Sequence, residues 1–167
     1  MHDELTREDI QQMQAELTQR RTMEFPKLID AVKEARAFGD LSENFEYKAA
    51  KQELNRCKRR IRYLENMIKS AVVIEDKSGS SEIGLYDKVT VRMEGTEQTM
   101  VFQIVTAMRA DALKGLITRE SPVGQAIAGH CAGDVVTVHV RSDFSYNLEI
   151  LSIEKQEDDG SIPISTY

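Results

Sequence analysis

Apolar residues recur with two different periods along the chain, and the change of period separates a helical first half from a second half of strands. From Tyr47 onward, apolar or small residues alternate at steps of three and four: Tyr47, Ala50, Leu54, Cys57, Ile61, Leu64 and Ile68. Such steps are typical of the a and d positions of a coiled coil. The pattern predicts a helix of about 26 residues, roughly 40 Å long.

The segment before it predicts a second, less regular helix. Its apolar side is formed by Ile10, Met13, Leu17, Leu28, Val32 and Ala35, and the polar residues Arg20, Arg21 and Glu24 interrupt the middle. Pro26 cannot donate a helical hydrogen bond, so we expect a bend near Thr22. Gly39 suits the left-handed position just past a helix end. The short connection that follows predicts an antiparallel helical hairpin.

The second half alternates with period two, which predicts short strands. They fall in Leu85–Met93, Met100–Thr106, Leu116–Thr118, Asp134–Val140 and Asn147–Glu154. Between them, SPVGQAIAG predicts one short helix, with Ser121 as its N-cap, Pro122 in the first turn and Gly129 at its end. Short strands around one helix favour a small α+β domain.

These patterns divide the chain into four segments. Residues 1–76 form the coiled-coil hairpin, and the Gly/Ser-rich residues 77–81 are predicted to be a linker. Residues 82–155 form the α+β domain. The acidic tail, residues 156–167, is predicted to be mobile because it follows the last strand and lacks periodic apolar positions.

Composition excludes several classes of protein. The chain has 167 residues, 41% of them hydrophobic, and a formal net charge of −6, which suits a folded protein. It has no apolar run long enough to span a membrane, and its polar start is unlike a secretory signal. The only cysteines are Cys57 and Cys131, in different predicted domains, and no zinc-binding pattern occurs. We therefore expect a cytoplasmic protein without disulfides.

The connection between the two helices carries an unusual group of acids. In GDLSENFE, residues 39–46, the carboxylates Asp40, Glu43 and Glu46 follow one another at a spacing of three. One interpretation is a capping box, with Asp40 as the N-cap of the second helix and Glu43 as its partner. The other is a functional group, because a helix start needs one capping pair and the third acid adds nothing to it.

Coordination chemistry limits the functional interpretation. Mg²⁺ prefers about six oxygen ligands in octahedral geometry. Two or three carboxylates on a convex tip cannot supply them. The tip is therefore predicted not to be an enzyme by itself, but to complete a metal site that another macromolecule provides, as in two-metal phosphoryl chemistry.

A basic stretch follows the acidic tip. Between Lys48 and Lys69, eight basic residues stand against two acidic ones, a local net charge of +6 in a chain of net charge −6. This asymmetry favours an anionic partner such as nucleic acid. The alternative is an ordinary solvated face of a coiled coil. No aromatic RNA-binding motif accompanies the stretch, so we expect contacts with phosphates that are independent of sequence.

The segment EARAFGDLSENFEYKAAK, Glu34 to Lys51, resembles the signature of the bacterial Gre transcript-cleavage factors, and is most similar to the GreA type. Similarity continues at residues 71–74 and in SPVGQAIAGHCAGDVV, Ser121 to Val136. The resemblance implies an α+β protein with an N-terminal antiparallel coiled-coil hairpin and a C-terminal FKBP-like domain.

The resemblance also implies a function. Such a transcription elongation factor binds backtracked RNA polymerase through its secondary channel and stimulates the polymerase's own hydrolysis of the nascent RNA 3′ segment. The factor would be a monomer with no cofactor of its own and no small-molecule substrate, and Mg²⁺ would be shared in the polymerase active site.

Residue roles follow from the same resemblance. Asp40 and Glu43 match the tip acids that support the second Mg²⁺ and the attacking water. Arg36 and Lys51 match positions that face the RNA, and we add Arg59 and Arg60 from the basic stretch. The loop with Ser121 and Pro122 is expected at the docking surface for the polymerase.

Other functions stay open. Phe45 stands where the family commonly has Ala, which leaves room for a channel-binding regulator that inhibits polymerase without stimulating cleavage. A prolyl isomerase would need an aromatic-lined pocket, for which the domain offers Tyr86, Phe102, Phe144 and Tyr146 and no Trp. A coiled-coil scaffold would need neither the acidic tip nor the basic stretch.

Overall fold

The computed structural model describes residues 3–39 and 43–166, and these divide into two compact units. The first consists of Asp3 and Asp9–Val72, and the second of Glu4–Glu8 and residues 73–166. The predicted linker, residues 77–81, lies inside the second unit, where Ser78 Oγ accepts a hydrogen bond from Lys155 Nζ at 3.0 Å. The chain thus changes units at Val72, earlier than the Gly/Ser composition suggests.

The first unit is a helical hairpin, as the sequence predicts. Its helices are α1 (Arg7–Gln19), α2 (Phe25–Arg36) and α3 (Phe45–Ser70), and α2 packs against α3. In the predicted seam of α3, Cys57 and Leu64 are buried, and the other five positions are half-buried. Burial raises the pKa of the Cys57 thiol, as expected for a packing residue with little thiolate character.

The irregularity near Thr22 takes the form of a π-helical segment, Arg20–Glu24, between α1 and α2. There the N–H of Phe25 donates to the carbonyl of Arg20, five residues back. Pro26 has no N–H to donate, so the regular helical hydrogen-bond ladder is interrupted there. The π segment just before it replaces the regular pattern with a hydrogen bond that spans five residues. The irregularity lies where the bend was predicted, and the helical backbone continues through it as a π segment; the bend itself stays a prediction.

A buried ion cluster lies at this π segment and corrects one prediction. Arg60 was expected to face RNA, but its residue surface is only 5% exposed. Its Nε and Nη2 each donate to a carboxylate oxygen of Glu16 at 2.9 Å, and Arg20 Nε donates to the same carboxylate at 2.7 Å. The Arg60 guanidinium is therefore used inside the hairpin, because its planar fork matches a carboxylate.

The second unit contains a five-stranded sheet and one short helix. Its strands are β3 (Lys88–Met93), β4 (Thr99–Ile104), β5 (Leu116–Ile117), β6 (Val135–Arg141) and β7 (Phe144–Glu154), in the order β5-β4-β3-β7-β6. Neighbours are antiparallel except β4 and β5. All five predicted strands are confirmed. The sequence did not predict the two-residue strands β1 (Glu4–Leu5) and β2 (Val72–Val73), which are too short to show a period.

Helix α4 (Pro122–Ile127) packs against β6 and closes the core of this unit. Alternate residues of the strands point inward, so that Val136 and Val138 of β6 are buried while Val135 is exposed. The central core residues are Val89, Val91, Ile104, Ile127, Val138, Leu148 and Ile150. This alternation is the period-two pattern expected of a sheet with one buried face.

The acidic tail, predicted to be mobile, forms hydrogen bonds within the second unit. Arg109 is 1% exposed, and its guanidinium donates to both oxygens of Asp158 at 2.9 Å and to the carbonyl of Ile162 at 3.0 Å. The N–H of Ser165 donates to the carbonyl of Met108 at 2.7 Å. The carboxylate of Asp158 thereby neutralises a buried arginine whose unpaired charge would be costly.

Candidate functional site at the end of the helical hairpin

The end of the hairpin is organised by Asn44, which is the N-cap of α3. Its Oδ1 accepts from the N–H of Tyr47 at 3.0 Å, and its Nδ2 donates to the carbonyl of Ala35 in the last turn of α2 at 2.7 Å. The capping box predicted for Asp40 and Glu43 is therefore wrong, because α3 begins at Phe45 and Glu43 precedes its cap. Asp40 itself lies outside the described residues.

The two described acids of the tip, Glu43 and Glu46, are exposed. Neither forms a hydrogen bond or ion pair with another described residue. Within the described residues, 3–39 and 43–166, no group of three His, Cys, Asp or Glu side chains is arranged to hold a metal ion. As a donor set, two exposed carboxylates can contribute ligands to an ion held elsewhere, but they cannot fill a magnesium shell.

At the same end of the hairpin, basic side chains lie over aromatic rings. Arg36 of α2 and Lys51 of α3 each lie over the ring of Tyr47, with the cation 5.8 Å from the ring centroid. Lys48 Nζ lies 5.6 Å from the centroid of Phe45. The structure thus brings Arg36 and Lys51 to the same ring, as a shared RNA-facing role would require. The Tyr47 ring between them was missed because Arg36 comes from the other helix.

The basic face of α3 is smaller than its composition suggests. Arg60 is buried, and Arg56 pairs with Glu53 at 3.2 Å. Glu65, the other acid of this stretch, pairs with Arg21 of the π-helical segment. Arg59 and Arg62 are exposed, and no described carboxylate pairs with either. These two arginines lie one turn apart on the helix. The exposed lysines of the stretch, Lys48, Lys51, Lys58 and Lys69, complete what the structure leaves of the predicted phosphate-binding surface.

The predicted docking residues lie at the start of α4, in the second unit. Ser121 Oγ accepts from the N–H of Gly124 at 3.1 Å and donates to the carbonyl of Thr118 at 2.7 Å, so the predicted N-cap is confirmed. Pro122 is exposed at the first helical position. Of the two residues, only Pro122 has a side chain without a structural task in the cap.

Comparison with known proteins agrees with both units. The family described as "Transcription elongation factor, N-terminal" matches residues 4–73, and the one described as "Transcription elongation factor, GreA/GreB, C-term" matches residues 70–155. The chain belongs to the GreA/GreB family of transcription elongation factors. The resemblance seen in the sequence is therefore confirmed for both halves, and the tail after residue 155 lies outside the match.

Individual relatives place this Gre factor with the GreA type. It is 35% identical over 150 residues to "Transcription elongation factor GreA" of Staphylococcus saprophyticus, covering 90% of this chain and 95% of the relative. It is 37% identical over 152 residues to the GreA of Streptococcus thermophilus, covering 90% and 94%. Among solved structures, the GreA factor homolog 1 protein of Thermus thermophilus matches at 25% identity and a TM-score of 0.44, covering 93% and 100%.

The aromatic residues of the second unit of this Gre factor do not line a common pocket, although the rings of Phe144 and Tyr146 lie 6.0 Å apart. Tyr86 is buried, Phe144 is half-exposed, and Phe102 and Tyr146 pack at the margin of the core. The groove lined by Tyr86 contains none of the other three. A prolyl-isomerase pocket is therefore not supported.

None of the described helices has the length and apolar character of a membrane span.

Proposed function

We propose that this Gre factor binds backtracked RNA polymerase through the secondary channel and stimulates the polymerase's own hydrolysis of the extruded RNA 3′ segment. The observation that carries the proposal is the exposed Glu43 beside an Asn44 cap. Because Asn44 is the N-cap of α3, Glu43 is not needed to cap that helix. Family membership and the hairpin that carries the tip support the same conclusion.

The chemistry assigned to the tip is assistance. When bound, a second Mg²⁺ supplies Lewis-acid activation of water and stabilises the departing oxygen. Glu43 together with Asp40 would add carboxylate oxygens to that ion and orient the attacking water. The polymerase provides the rest of the metal site, so the factor is proposed to have no complete active site and no cofactor of its own.

The remaining predicted residues divide between RNA and polymerase. Arg36 and Lys51, held beside the Tyr47 ring, are proposed to face the extruded RNA. Pro122, at the exposed start of α4, is proposed to contact the rim of the polymerase, with Ser121 shaping that turn. An FKBP-like architecture for the second unit and a monomeric state stay predictions.

The test is a transcript-cleavage assay on a stalled, backtracked elongation complex, using Asp40→Asn and Glu43→Gln. Both amides keep the size of the side chain and remove its charge. We expect each variant to keep its helical circular dichroism and its binding to polymerase and to lose most cleavage stimulation. Glu34→Gln, which removes an exposed charge from α2, is the matched control and should cleave normally.

Three results would contradict the proposal. Normal cleavage by both amide variants would remove the tip acids from the chemistry. Inhibition of the polymerase by the unmodified protein, without cleavage, would favour the channel-blocking regulator. Magnesium-dependent hydrolysis of free RNA by the purified factor, without polymerase, would show that the chain has an active site of its own.

A further inference from the structure

Two phenylalanine rings are exposed at the end of the hairpin. Phe38, two residues after α2, is 77% exposed, and Phe45, the first residue of α3, is 81% exposed. Exposed residues of this size usually mark an interaction surface when they lie close together with other binding groups. The hairpin core does not need either ring, because α2 and α3 pack through other residues.

Cations are interleaved with the aromatic rings at this end. Lys48 lies over Phe45 at 5.6 Å, and Arg36 and Lys51 lie over Tyr47 at 5.8 Å each. With 81% of its surface exposed, Phe45 retains an open ring face despite Lys48. Alternating rings and cations are the arrangement by which proteins hold single-stranded nucleic acid, since bases stack on the rings and phosphates meet the cations.

We propose that Phe45 is a base-stacking residue for the unpaired nucleotides of the RNA 3′ segment, with Lys48 beside it for the adjoining phosphate. This inference rests on the proposed function and deepens it by naming how the RNA is held. Charge complementarity favours RNA over an apolar protein surface, because a protein partner for bare rings would not call for three cations among them.

The position of Phe45 in the chain gives the contact a consequence for the reaction. Phe45 follows Asn44, whose two hydrogen bonds fix the start of α3, and it is two residues from Glu43. A base stacked on this ring would be held close to the tip acids. Phe45 is therefore a positioning residue, and its loss should raise the factor concentration needed for cleavage more than it lowers the rate at saturation.

The experiment compares Phe45→Leu, which keeps apolar bulk, with Phe45→Tyr, which keeps a ring. Backtracked complexes are assembled with a mismatched RNA 3′ nucleotide that is either uridine or 5,6-dihydrouridine, whose ring is not planar and stacks poorly. On uridine, Phe45→Leu should need about tenfold more factor for half-maximal cleavage, in line with base–aromatic stacking, while Phe45→Tyr should resemble the unmodified protein. On dihydrouridine, all three proteins should converge.

A second readout does not depend on cleavage. A 3′-terminal 5-iodouridine should photo-cross-link to the factor at Phe45, and the yield should fall in Phe45→Leu. Phe144→Leu, at an exposed aromatic residue of the second unit, is the matched control and should change neither readout.

The outcomes separate this inference from the proposed function. Cleavage by Phe45→Leu equal to that of the unmodified protein on both RNAs overturns the inference and leaves the function standing. An equal loss on uridine and dihydrouridine also overturns it, because the ring then contacts polymerase. If the unmodified protein fails to stimulate cleavage, the function fails, and the cross-link at Phe45 alone decides whether the base is stacked there.

Discussion

The side-chain amide of Asn44 donates a hydrogen bond of 2.7 Å to the main-chain carbonyl of Ala35, and so joins the start of α3 to the end of α2. The same side chain accepts from the N–H of Tyr47 at 3.0 Å. One residue thereby satisfies an orphan acceptor of one helix and an orphan donor of the next. Neither of the two described tip acids, Glu43 and Glu46, takes part in these hydrogen bonds.

Asn44→Ala should destabilise the hairpin by about 2 kcal/mol, because it removes an N-cap and a second hydrogen bond of about 1 kcal/mol each. Asn44→Asp should cost about half as much, since a carboxylate can cap but cannot donate to Ala35. Urea unfolding followed by helical circular dichroism measures both. Asn55→Ala, at an exposed site within α3, is the control and should not destabilise the protein. A normal unfolding midpoint for Asn44→Ala would refute this role.

Removing only one partner of the Glu16–Arg60 pair should destabilise the protein more than replacing both partners with apolar residues. Glu16→Gln leaves the buried Arg60 charge without its carboxylate and should cost about 3 kcal/mol of unfolding free energy. Replacing both, with Glu16→Leu and Arg60→Met, should restore most of that loss, because no charge is then buried alone. A double-mutant cycle in urea tests this. Equal destabilisation by the single and double variants would mean that the cluster contributes only through its packing.

The same pair predicts a dependence on pH. The hydrogen bond from Arg60 holds the pKa of Glu16 below its ordinary value of 4.5. The folded state therefore binds the Glu16 proton less readily than the unfolded state. The stabilisation is present above the ordinary pKa and is lost as the pH falls through the lower folded pKa. The difference in unfolding free energy between the unmodified protein and Glu16→Gln should shrink below about pH 4. A constant difference down to about pH 2 would contradict it.

The exposed arginines of α3 should act through phosphate electrostatics. Arg59→Glu combined with Arg62→Glu should weaken binding to backtracked complexes more than to complexes without extruded RNA, and the contrast should fall as salt rises. Arg60 is left unchanged, because reversing it would break the buried pair with Glu16. Lys77→Glu combined with Arg141→Glu, at two exposed positions of the second unit, makes the same change in net charge and is the control. Equal losses on both complexes at every salt concentration would assign these arginines to protein contact.

The tail should stabilise the second unit through Asp158. Asp158→Asn leaves Arg109 buried beside a neutral amide and should cost about 3 kcal/mol, whereas the exposed neighbouring change Asp159→Asn should cost well under 1 kcal/mol. Thermal unfolding of the full chain measures the difference. Identical melting temperatures for the two variants would show that the Asp158–Arg109 pair does not stabilise the second unit.

Local pattern was sufficient for most of the fold. The three- and four-residue steps of α3 and the alternation in the five strands of the main sheet appear in the sequence because each element must bury one face. The Ser121 cap and the defect near Thr22 were predictable too, since both follow from residues a few positions away. The acidic tip and the family were evident from contiguous motifs.

Only the tertiary structure showed the roles of side chains whose partners are distant in the sequence. From sequence alone Arg60 is predicted to be an exposed cation. In the structure it is buried and pairs with Glu16, which is 44 residues earlier in the chain. From sequence alone the tail is predicted to be mobile, but in the structure Asp158 pairs with the buried Arg109. From sequence alone the tip acids suggest a capping box, but in the structure Asn44 caps α3 and also binds the end of α2. A charged or polar side chain is compatible with water or with a buried partner. The sequence shows its type, and only the packing of distant segments determines which of the two it meets.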